Sequence, residues 1–360
     1  MMRPVGSLFL LATAAFAADP AKVLRIDQLL HECTLPGAPG ASVLVVERGE
    51  TVVRKSYGPA NLEAGTPATP ATNYRLASVT KQFTAMAIMQ LAERGKLSYD
   101  QKLADFFPTL PAWSRVVTLR QLLHHTSGIM DYEDAAPPLP PGPVAPRDQL
   151  KEPDVLRIMQ KLDRTYFEPG TEWRYSNSGY VLLGMVVEKV AGMPFPRFLK
   201  QNIFAPLGMT NTLAFQEGIS VVPNRAYGYS KEGARFVRHD QSQTSALLGD
   251  GGVYSSIDDL ARWDRGLAAG RLVKPDTWKQ AVTSGVLKNG KATNYGFGRR
   301  LEPYRGHKLW SHDGDTVGFR TTILRFPDDR LTVVLLLNRE DLDSRKLATA
   351  IADLYLGGNR

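Results

Sequence analysis

Cysteine is almost absent, since the chain of 360 residues contains only Cys33. An intramolecular disulfide is therefore excluded, and the fold must be stabilised by the burial of apolar side chains, which a chain of this length can supply. Cys33 lies in AKVLRIDQLLHECT (21–34), whose apolar stripe predicts a helix, and it lies outside any cleavage-site motif for lipid attachment. We interpret it as a small core residue rather than a nucleophile.

Long apolar runs are also lacking, since the stretch at 331–337 has only the length of a strand. The first 18 residues combine Arg3, a short apolar stretch from Val5 to Ala17 and a small-x-small cleavage site. This pattern predicts a secretory signal peptide, cut after Ala17 or Ala18, and a soluble protein that is secreted or periplasmic. A membrane anchor is the alternative, but the stretch is shorter than the roughly 20 residues that span a bilayer.

Positive charge is present but is not concentrated. The formal net charge is +8 and the pI is about 9.4, yet no run of four or more Lys or Arg occurs. Scattered charge argues against nucleic acid as a partner. A basic balance favours anionic surfaces, so peptidoglycan is kept as a candidate partner beside a small-molecule substrate.

Signatures of metal, cofactor and nucleotide binding are missing. His124-His125 and Asp131 do not have the His-Glu-x-x-His spacing, and adjacent residues on a helix point in different directions. The chain has no Gly-rich phosphate loop, and it has no Gly-x-Ser-x-Gly elbow of an α/β-hydrolase. We therefore expect neither a metal ion nor a cofactor.

Strand patterns occur at both ends of the chain, with helical patterns between them. Two β-branched runs meet at Arg48-Gly49-Glu50, and three more runs follow residue 307, the last two joined by PDDR (327–330). GYVLLGMVVEKVAG (179–192) is apolar on nearly all sides and predicts a buried helix. We predict an α+β fold, with an antiparallel sheet formed from both chain ends and flanked by helices. The expected domains are a sheet domain at 19–81 plus 246–360 and an inserted all-helical domain at 82–245.

Two smaller features add detail to the predicted fold. AAPPLPPGPVAP (135–146) cannot form regular structure and predicts an exposed excursion. Ser256 and Asp259 have the spacing of a capping box at the start of a helix.

A first candidate motif is Ser78-Val-Thr-Lys81. On a helix, residues three apart project from the same side. A serine hydroxyl becomes a nucleophile when a neighbouring base takes its proton, and a lysine amine can serve if burial lowers its pKa. The spacing alone is weak evidence, although no other serine here has a lysine three residues on.

A second candidate motif is Tyr175-Ser176-Asn177. In an extended segment, residues two apart face the same way, so Tyr175 and Asn177 could share one cleft. A lysine cation nearby would make the phenol more acidic, which suits a proton shuttle, and the Asn177 amide could hold the lysine and a substrate carbonyl. A helix cap beside a packed tyrosine is the alternative.

A third candidate motif is His312-Asp313-Gly314-Asp315, at the predicted end of a strand. Gly314 would let a substrate approach the backbone, and the N–H of Asp315 could bind an oxyanion together with the N–H of Ser78. His312 could hydrogen-bond a phenol or an anionic substrate group. A structural histidine is the alternative.

In this order the motifs resemble those of the penicillin-recognising serine hydrolases: class C β-lactamases, D-alanyl-D-alanine carboxypeptidases and family VIII carboxylesterases. The resemblance extends to the stretches 119–128, 169–184, 204–212 and 251–263. It implies a β-lactamase/transpeptidase-like fold with the active site between the sheet and the helical domain. It also implies that the turn at 125–128 shapes the neighbourhood of that site.

The same resemblance implies roles for individual side chains. Ser78 would be the acylated nucleophile, with Lys81 and Tyr175 activating it and later the hydrolytic water. Asn177 would orient Lys81 and the substrate. His312 would stand where many members have lysine.

This histidine is a departure from β-lactamases, in which a permanent cation grips the lactam carboxylate, because histidine is mostly neutral at pH 7. We therefore predict an exported serine hydrolase that forms an acyl-enzyme on Ser78. Small esters, D-alanyl peptides and slowly hydrolysed β-lactams are the expected substrates, in that order. The alternatives are a penicillin-binding sensor that acylates without turnover and a non-catalytic protein that binds the cell envelope.

Overall fold

The computed structural model describes residues 19–135 and 148–357. The predicted signal peptide and nearly all of the predicted proline-rich excursion lie outside these residues. The strands are β1 (Ala41–Glu47), β2 (Glu50–Tyr57), β3 (Pro59–Asn61), β4 (Thr66–Pro67), β5 (Tyr74–Arg75), β6 (Leu213–Ala214), β7 (Tyr229–Glu232), β8 (Arg235–Arg238), β9 (Val253–Ser255), β10 (Trp310–Thr316), β11 (Phe319–Phe326) and β12 (Leu331–Leu337). The α-helices are α1 (Pro20–Leu29), α2 (Lys81–Glu93), α3 (Leu103–Phe106), α4 (Leu119–Leu123), α5 (Tyr132–Ala135), α6 (Glu152–Gln160), α7 (Asn177–Ala191), α8 (Phe195–Leu199), α9 (Ala205–Leu207), α10 (Ile257–Ala268), α11 (Pro275–Ala281) and α12 (Ser344–Asp353).

The central sheet has five antiparallel strands in the order β10-β11-β12-β1-β2. Both chain ends contribute, because β1 from the first part pairs with β12 from the last, with Val45 opposite Val333. The two predicted hairpins are present, with turns at 48–49 and 327–330. The predicted α+β fold with a sheet from both ends is confirmed.

Helices cover both faces of this sheet. Val43 and Val45 point to a core shared with α1 and α12, whereas Leu44 and Val46 point to a larger core shared with α2, α7 and α10. Successive residues of a strand face opposite sides, so a strand buried on both faces reads as a continuous apolar run. The sheet therefore forms the middle layer between two helical layers.

The first helix is shorter than predicted. It ends at Leu29, and a 3₁₀ turn at His31–Thr34 follows it. The predicted stripe is nevertheless correct, since Ile26 and Leu30 are fully buried. Cys33 lies on the turn and is also fully buried, and burial raises the pKa of its thiol to about 11. These surroundings agree with its interpretation as a core residue.

Helix α7 places the Tyr175-Ser176-Asn177 motif beside the Ser78–Lys81 motif. The helix begins at Asn177, two residues earlier than predicted, and ends at Ala191, with Gly192 as its C-cap at a φ of +64°. It packs against α2 and against the segment around Gly249, where a Cβ would lie 2.3 Å from the Tyr180 carbonyl oxygen. The absence of a side chain at Gly249 lets this segment lie directly against α7. The starts of α7 and α2 meet at the hydrogen bond from Lys81 Nζ to Asn177 Oδ1.

Other features of the described ranges bear on the sequence predictions. Ser256 caps α10 by accepting from the Asp259 N–H at 3.3 Å, but the Asp259 carboxylate accepts from Asn211 and Thr212 instead of closing the box. Within residues 19–135 and 148–357, no helix is long and apolar enough to cross a bilayer. The same ranges contain no cluster of three or more His, Cys, Asp or Glu side chains suited to a metal ion.

Candidate active site

The Ser78 motif lies on a tight turn that leads into α2. Residues Ala77–Thr80 form a 3₁₀ turn, and the α-helix begins at Lys81. Ala77 has a φ of +46°, a conformation that is uncommon for residues other than glycine and is found at functional sites. Lys81 Nζ lies 3.1 Å from Ser78 Oγ, so the turn places the two groups together as the spacing predicted.

The Lys81 side chain is fully buried and its amine has three neighbours. It donates to Asn177 Oδ1 at 2.7 Å and to the Asp250 carbonyl oxygen at 2.9 Å, and it faces Ser78. Burial lowers the pKa of Lys81 to about 8, against the opposing charges of Asp250 and Asp131. A neutral amine keeps two N–H donors for Asn177 and Asp250 and can direct its lone pair at the Ser78 hydroxyl.

Tyr175 packs over this amine. Lys81 Nζ lies 4.8 Å from the centre of the phenol ring, and the His125 ring lies 4.3 Å away on another side. The buried hydroxyl makes no hydrogen bond of normal geometry with any described residue. It is close enough to Ser78 that the serine hydroxyl acts to lower its pKa.

The expectation that a lysine cation makes Tyr175 more acidic is wrong. Burial raises the pKa of Tyr175 well above its ordinary value, and the Asp250 and Asp131 charges add to this, whereas Ser78 lowers it by less. A buried phenolate loses its solvation, which outweighs a favourable neighbour. Tyr175 is therefore a neutral phenol that can donate or relay a proton rather than a resident phenolate.

Asn177 is fixed from two sides. Its side chain accepts from Lys81, and its backbone N–H donates to Asp131 Oδ2 at 2.6 Å. The preceding N–H, of Ser176, donates to His125 Nδ1 at 3.1 Å. Residue His125 itself has a φ of +58°, so the turn that the resemblance placed near the site does support it.

His312 lies inside β10, which continues to Thr316, so the predicted strand end at this motif is wrong. Its Nε2 accepts from the Tyr295 hydroxyl at 2.9 Å, and its Nδ1 donates to the Asp313 carbonyl at 2.7 Å. Burial, with the Lys81 charge, lowers the pKa of His312 to about 3. The ring is neutral, and the phenol that it binds is Tyr295, while the Tyr175 ring centre is 6.2 Å away.

Gly314 allows close packing within the protein, and its predicted role in substrate approach stays a prediction. A Cβ at this position would lie 2.1 Å from the Leu76 carbonyl oxygen and 2.3 Å from Thr321 Oγ1. The strand can therefore press against the Ser78 turn only if residue 314 has no side chain. The neighbouring Asp315 side chain is 70% exposed, and its Oδ1 lies 3.3 Å from Arg320 Nε. Its backbone N–H stays a predicted oxyanion donor.

Gly314→Ala is expected to destabilise the protein by about 2 kcal/mol, because overpacking at a rigid backbone contact costs about 1–3 kcal/mol. Thermal unfolding would measure this as a lower Tm, accompanied by loss of activity. Gly357→Ala is the matched control, because no atom of another residue lies within 4 Å of the position that its Cβ would occupy. Equal Tm values for the two variants would contradict the packing argument.

Sequence reasoning missed several residues around the site. Asp250 contributes a carbonyl oxygen to Lys81, and its buried carboxylate accepts from the Tyr132 hydroxyl at 2.8 Å. Asp131 was considered in the sequence only as a metal ligand, and no pattern there pointed to Tyr295. The glycines that flank Asp250, in LLGDGGVY, are the available signal of a close backbone approach.

Arg300 was also missed. Its charge acts to lower the pKa values of Tyr175, His312 and Tyr295, so its guanidinium lies within electrostatic range of these three groups. The side chain is partly exposed and forms no ion pair with any residue that the structure describes.

The site combines a serine with a buried lysine between an antiparallel sheet and a helical layer. This combination is typical of the serine hydrolases that include penicillin-binding proteins. The family model described as Beta-lactamase matches residues 26–356. The chain belongs to the Beta-lactamase family, which confirms the resemblance and the predicted fold.

Comparisons with individual proteins agree with this assignment. "Penicillin-binding protein 4*" of Bacillus subtilis (strain 168) is 33% identical over 317 residues, which cover 83% of this chain and 68% of the relative. "D-aminopeptidase" of Gluconobacter oxydans (strain 621H) is 28% identical over 309 residues, which cover 84% of this chain and 56% of the relative.

Solved structures show the same fold. The octameric penicillin-binding protein homologue from Pyrococcus abyssi matches with a TM-score of 0.79 and 28% identity, covering 94% of this chain and 77% of that one. The D-amino acid amidase from Ochrobactrum anthropi SV3, in complex with L-phenylalanine, matches with a TM-score of 0.74 and 24% identity. That match covers 92% of this chain and 96% of the amidase chain, and at this identity it supports the fold alone.

Proposed function

We propose that this protein is an exported serine hydrolase that cleaves small esters and D-alanyl peptides through an acyl-enzyme on Ser78. The observation that carries the proposal is the buried Lys81 amine, which lies 3.1 Å from Ser78 Oγ with its pKa lowered to about 8. Export depends on the predicted signal peptide at 1–18. Peptidoglycan fragments, which contain D-alanyl peptides, are the proposed natural source of substrate.

Acylation would begin with transfer of the Ser78 hydroxyl proton to the neutral Lys81 amine. The serine oxygen attacks the substrate carbonyl, and the N–H groups of Ser78 and Asp315 donate hydrogen bonds to the developing oxyanion. The proton passes from Lys81 through the Tyr175 hydroxyl to the leaving alcohol or amine. In deacylation, a water molecule gives a proton to Lys81 and attacks the acyl carbonyl, the bond to Ser78 Oγ breaks, and the proton passes from Lys81 to Oγ, directly or through Tyr175. The carboxylic acid leaves, and Ser78 and Lys81 regain their starting protonation.

The charges around the cleft support the substrate class. His312 is neutral and both of its ring nitrogens have partners, so it offers no cation to a lactam carboxylate. Arg300, which is partly exposed, is the proposed cation for a substrate carboxylate, whether that of a D-alanyl peptide or that of a lactam. The relatives named as a penicillin-binding protein and a D-aminopeptidase are consistent with such substrates. We therefore propose that β-lactams acylate Ser78 and are released slowly.

A substrate panel tests this function. It contains p-nitrophenyl acetate, a D-alanyl-D-alanine peptide, its L-alanyl counterpart and a penicillin, each followed to steady state. We expect turnover of the ester, a preference for the D over the L peptide, and a burst of one product per protein with penicillin followed by slow release. Fast penicillin turnover without D-peptide cleavage would contradict the proposal. A burst with every substrate and no turnover would favour the sensor.

Arg300→Gln is expected to raise KM for a D-alanyl-D-alanine peptide about tenfold, because a lost carboxylate contact of about 1.4 kcal/mol changes affinity by that factor. The C-terminal amide of the same peptide should show little change, since it has no carboxylate. Arg305→Gln is the control, because Arg305 pairs with Asp353 instead. An equal rise in KM for peptide and amide would remove Arg300 from substrate recognition.

A further inference from the structure

Arg299, which adjoins Arg300 in sequence, has a different environment. Its side chain is only 2% exposed, its Nε donates to the Phe297 carbonyl at 3.3 Å, and its guanidinium lies 4.5 Å from the Trp278 ring centre. Its Nη2 is buried and makes no hydrogen bond with any residue at 19–135 or 148–357. A buried cation is unfavourable unless its donors are satisfied, so this nitrogen requires an acceptor.

A second arginine shares this property. The Nη1 of Arg325 is also buried and has no hydrogen-bond partner in the described ranges. Both side chains line one cavity of about 20 Å³ between α10 and the sheet. The other polar residues that line the cavity are Gln82, Asp264 and Thr332. Space of this size holds one water molecule or one monatomic ion, and it is too small for phosphate or sulfate.

The charges that line the cavity do not balance. Among its lining residues the acidic side chain is Asp264, which lies 3.6 Å from Arg325 Nε and accepts from Thr332 Oγ1 at 2.8 Å. Two guanidinium groups and one carboxylate leave one excess positive charge. Burial and the Arg325 charge lower the pKa of Arg299 to about 9, which reflects this imbalance.

We propose that this cavity binds one monatomic anion, of the size and charge of chloride, between Arg299 Nη2 and Arg325 Nη1. The anion accepts from both unpartnered donors and cancels the excess charge, whereas a water molecule satisfies the donors only. A surface cleft of about 430 Å³ adjoins the cavity, because the two share the lining residues Asp264, Trp310 and Arg325.

From its location, the anion site is expected to affect the stability of the fold rather than the binding of substrate. Gly298, directly before Arg299, packs so closely on α2 that a Cβ would lie 2.5 Å from the Lys81 carbonyl oxygen. Gln82, directly after Lys81, lines the cavity. An anion in this cavity holds the 297–299 segment against the start of α2. Removal of the anion is expected to loosen the segment and the start of the helix.

The test compares thermal unfolding of the whole protein in sodium chloride and in sodium gluconate at the same ionic strength and pH 7. Because a ligand of the folded state stabilises it by mass action, saturating chloride is expected to raise Tm by about 3 °C relative to gluconate. Crystals grown in sodium bromide should show an anomalous peak between the two guanidinium groups. Equal Tm values in the two salts, or a water molecule in place of bromide, would overturn the proposal.

Variants locate the effect. Arg325→Gln is the test variant, because Arg325 is less deeply buried than Arg299 and the protein is expected to fold with this change. This variant should have the same Tm in chloride and in gluconate. Arg330→Gln is the control, because Arg330 lines the surface cleft but not the cavity, and it should keep the difference. A chloride effect that survives in Arg325→Gln would place the anion elsewhere and overturn the assignment.

Discussion

Ser78→Ala is expected to lower kcat/KM for p-nitrophenyl acetate by at least about a thousandfold, since removal of a nucleophile that acts with its base eliminates most of the rate enhancement. The fold should be retained. Ser78 lies on a turn whose packing depends on the Gly314 and Leu76 backbones, and its hydroxyl faces the Lys81 and Tyr175 side chains. Stopped-flow or steady-state ester hydrolysis measures the loss, and Tm measures the fold.

Ser176→Ala is the matched control for this change. Ser176 is a buried serine beside the site, whereas Ser78 is partly exposed. The Ser176 Oγ makes no hydrogen bond with any residue in the described ranges, and the hydrogen bond from its N–H to His125 survives substitution. We expect ester turnover within about threefold of the wild type. Retained turnover in Ser78→Ala, or an equal loss in both variants, would refute the assignment of the nucleophile.

Lys81→Met is expected to lower kcat/KM by about a thousandfold, which is within the range for general-base catalysis combined with positioning of the nucleophile. Methionine fills the buried space but cannot accept the Ser78 proton. It also leaves Asn177 Oδ1 and the Asp250 carbonyl without their donor, so Tm should be measured alongside activity. Wild-type Tm with full activity would show that Lys81 is not the base.

The pH dependence of kcat/KM distinguishes a catalytic role of Lys81 from a structural one. Only the neutral amine accepts a proton, and its pKa is lowered to about 8. The wild-type kcat/KM should therefore rise about tenfold per pH unit below pH 8 and become level above it. No step from His312 is expected between pH 5 and 8, because the pKa of its buried ring is about 3. If the residual activity of Lys81→Met kept the same pH dependence, the pKa near 8 would belong to another group.

Local features of the site could be predicted from the sequence. The contact between Ser78 and Lys81 follows from one turn of helix, and the hairpins follow from turn residues between β-branched runs. The contact between Lys81 and Asn177 spans 96 residues, and only the resemblance to a known family placed those residues together. The antiparallel pairing of β1 with β12 was accessible because strand patterns occur at both ends of the chain.

The remaining features depend on packing that no local pattern encodes. Tyr175 is surrounded by the His125 and Tyr295 rings, and this burial reverses the predicted direction of its pKa shift. Asp250 acts through a backbone carbonyl, which any residue type could provide. The two neighbouring arginines, Arg299 and Arg300, point into different environments, and the sequence alone does not distinguish them.

Intact-mass spectrometry after brief exposure to a penicillin tests the central claim most directly, because opening of the lactam ring by a serine retains every atom of the drug. The wild-type protein should gain the full mass of one penicillin, peptide mapping should place it on Ser78, and the adduct should decay slowly. Ser78→Ala should gain nothing. An adduct on any other residue, or ester turnover by a protein that forms no adduct with penicillin or with any ester or D-alanyl peptide, would contradict the account.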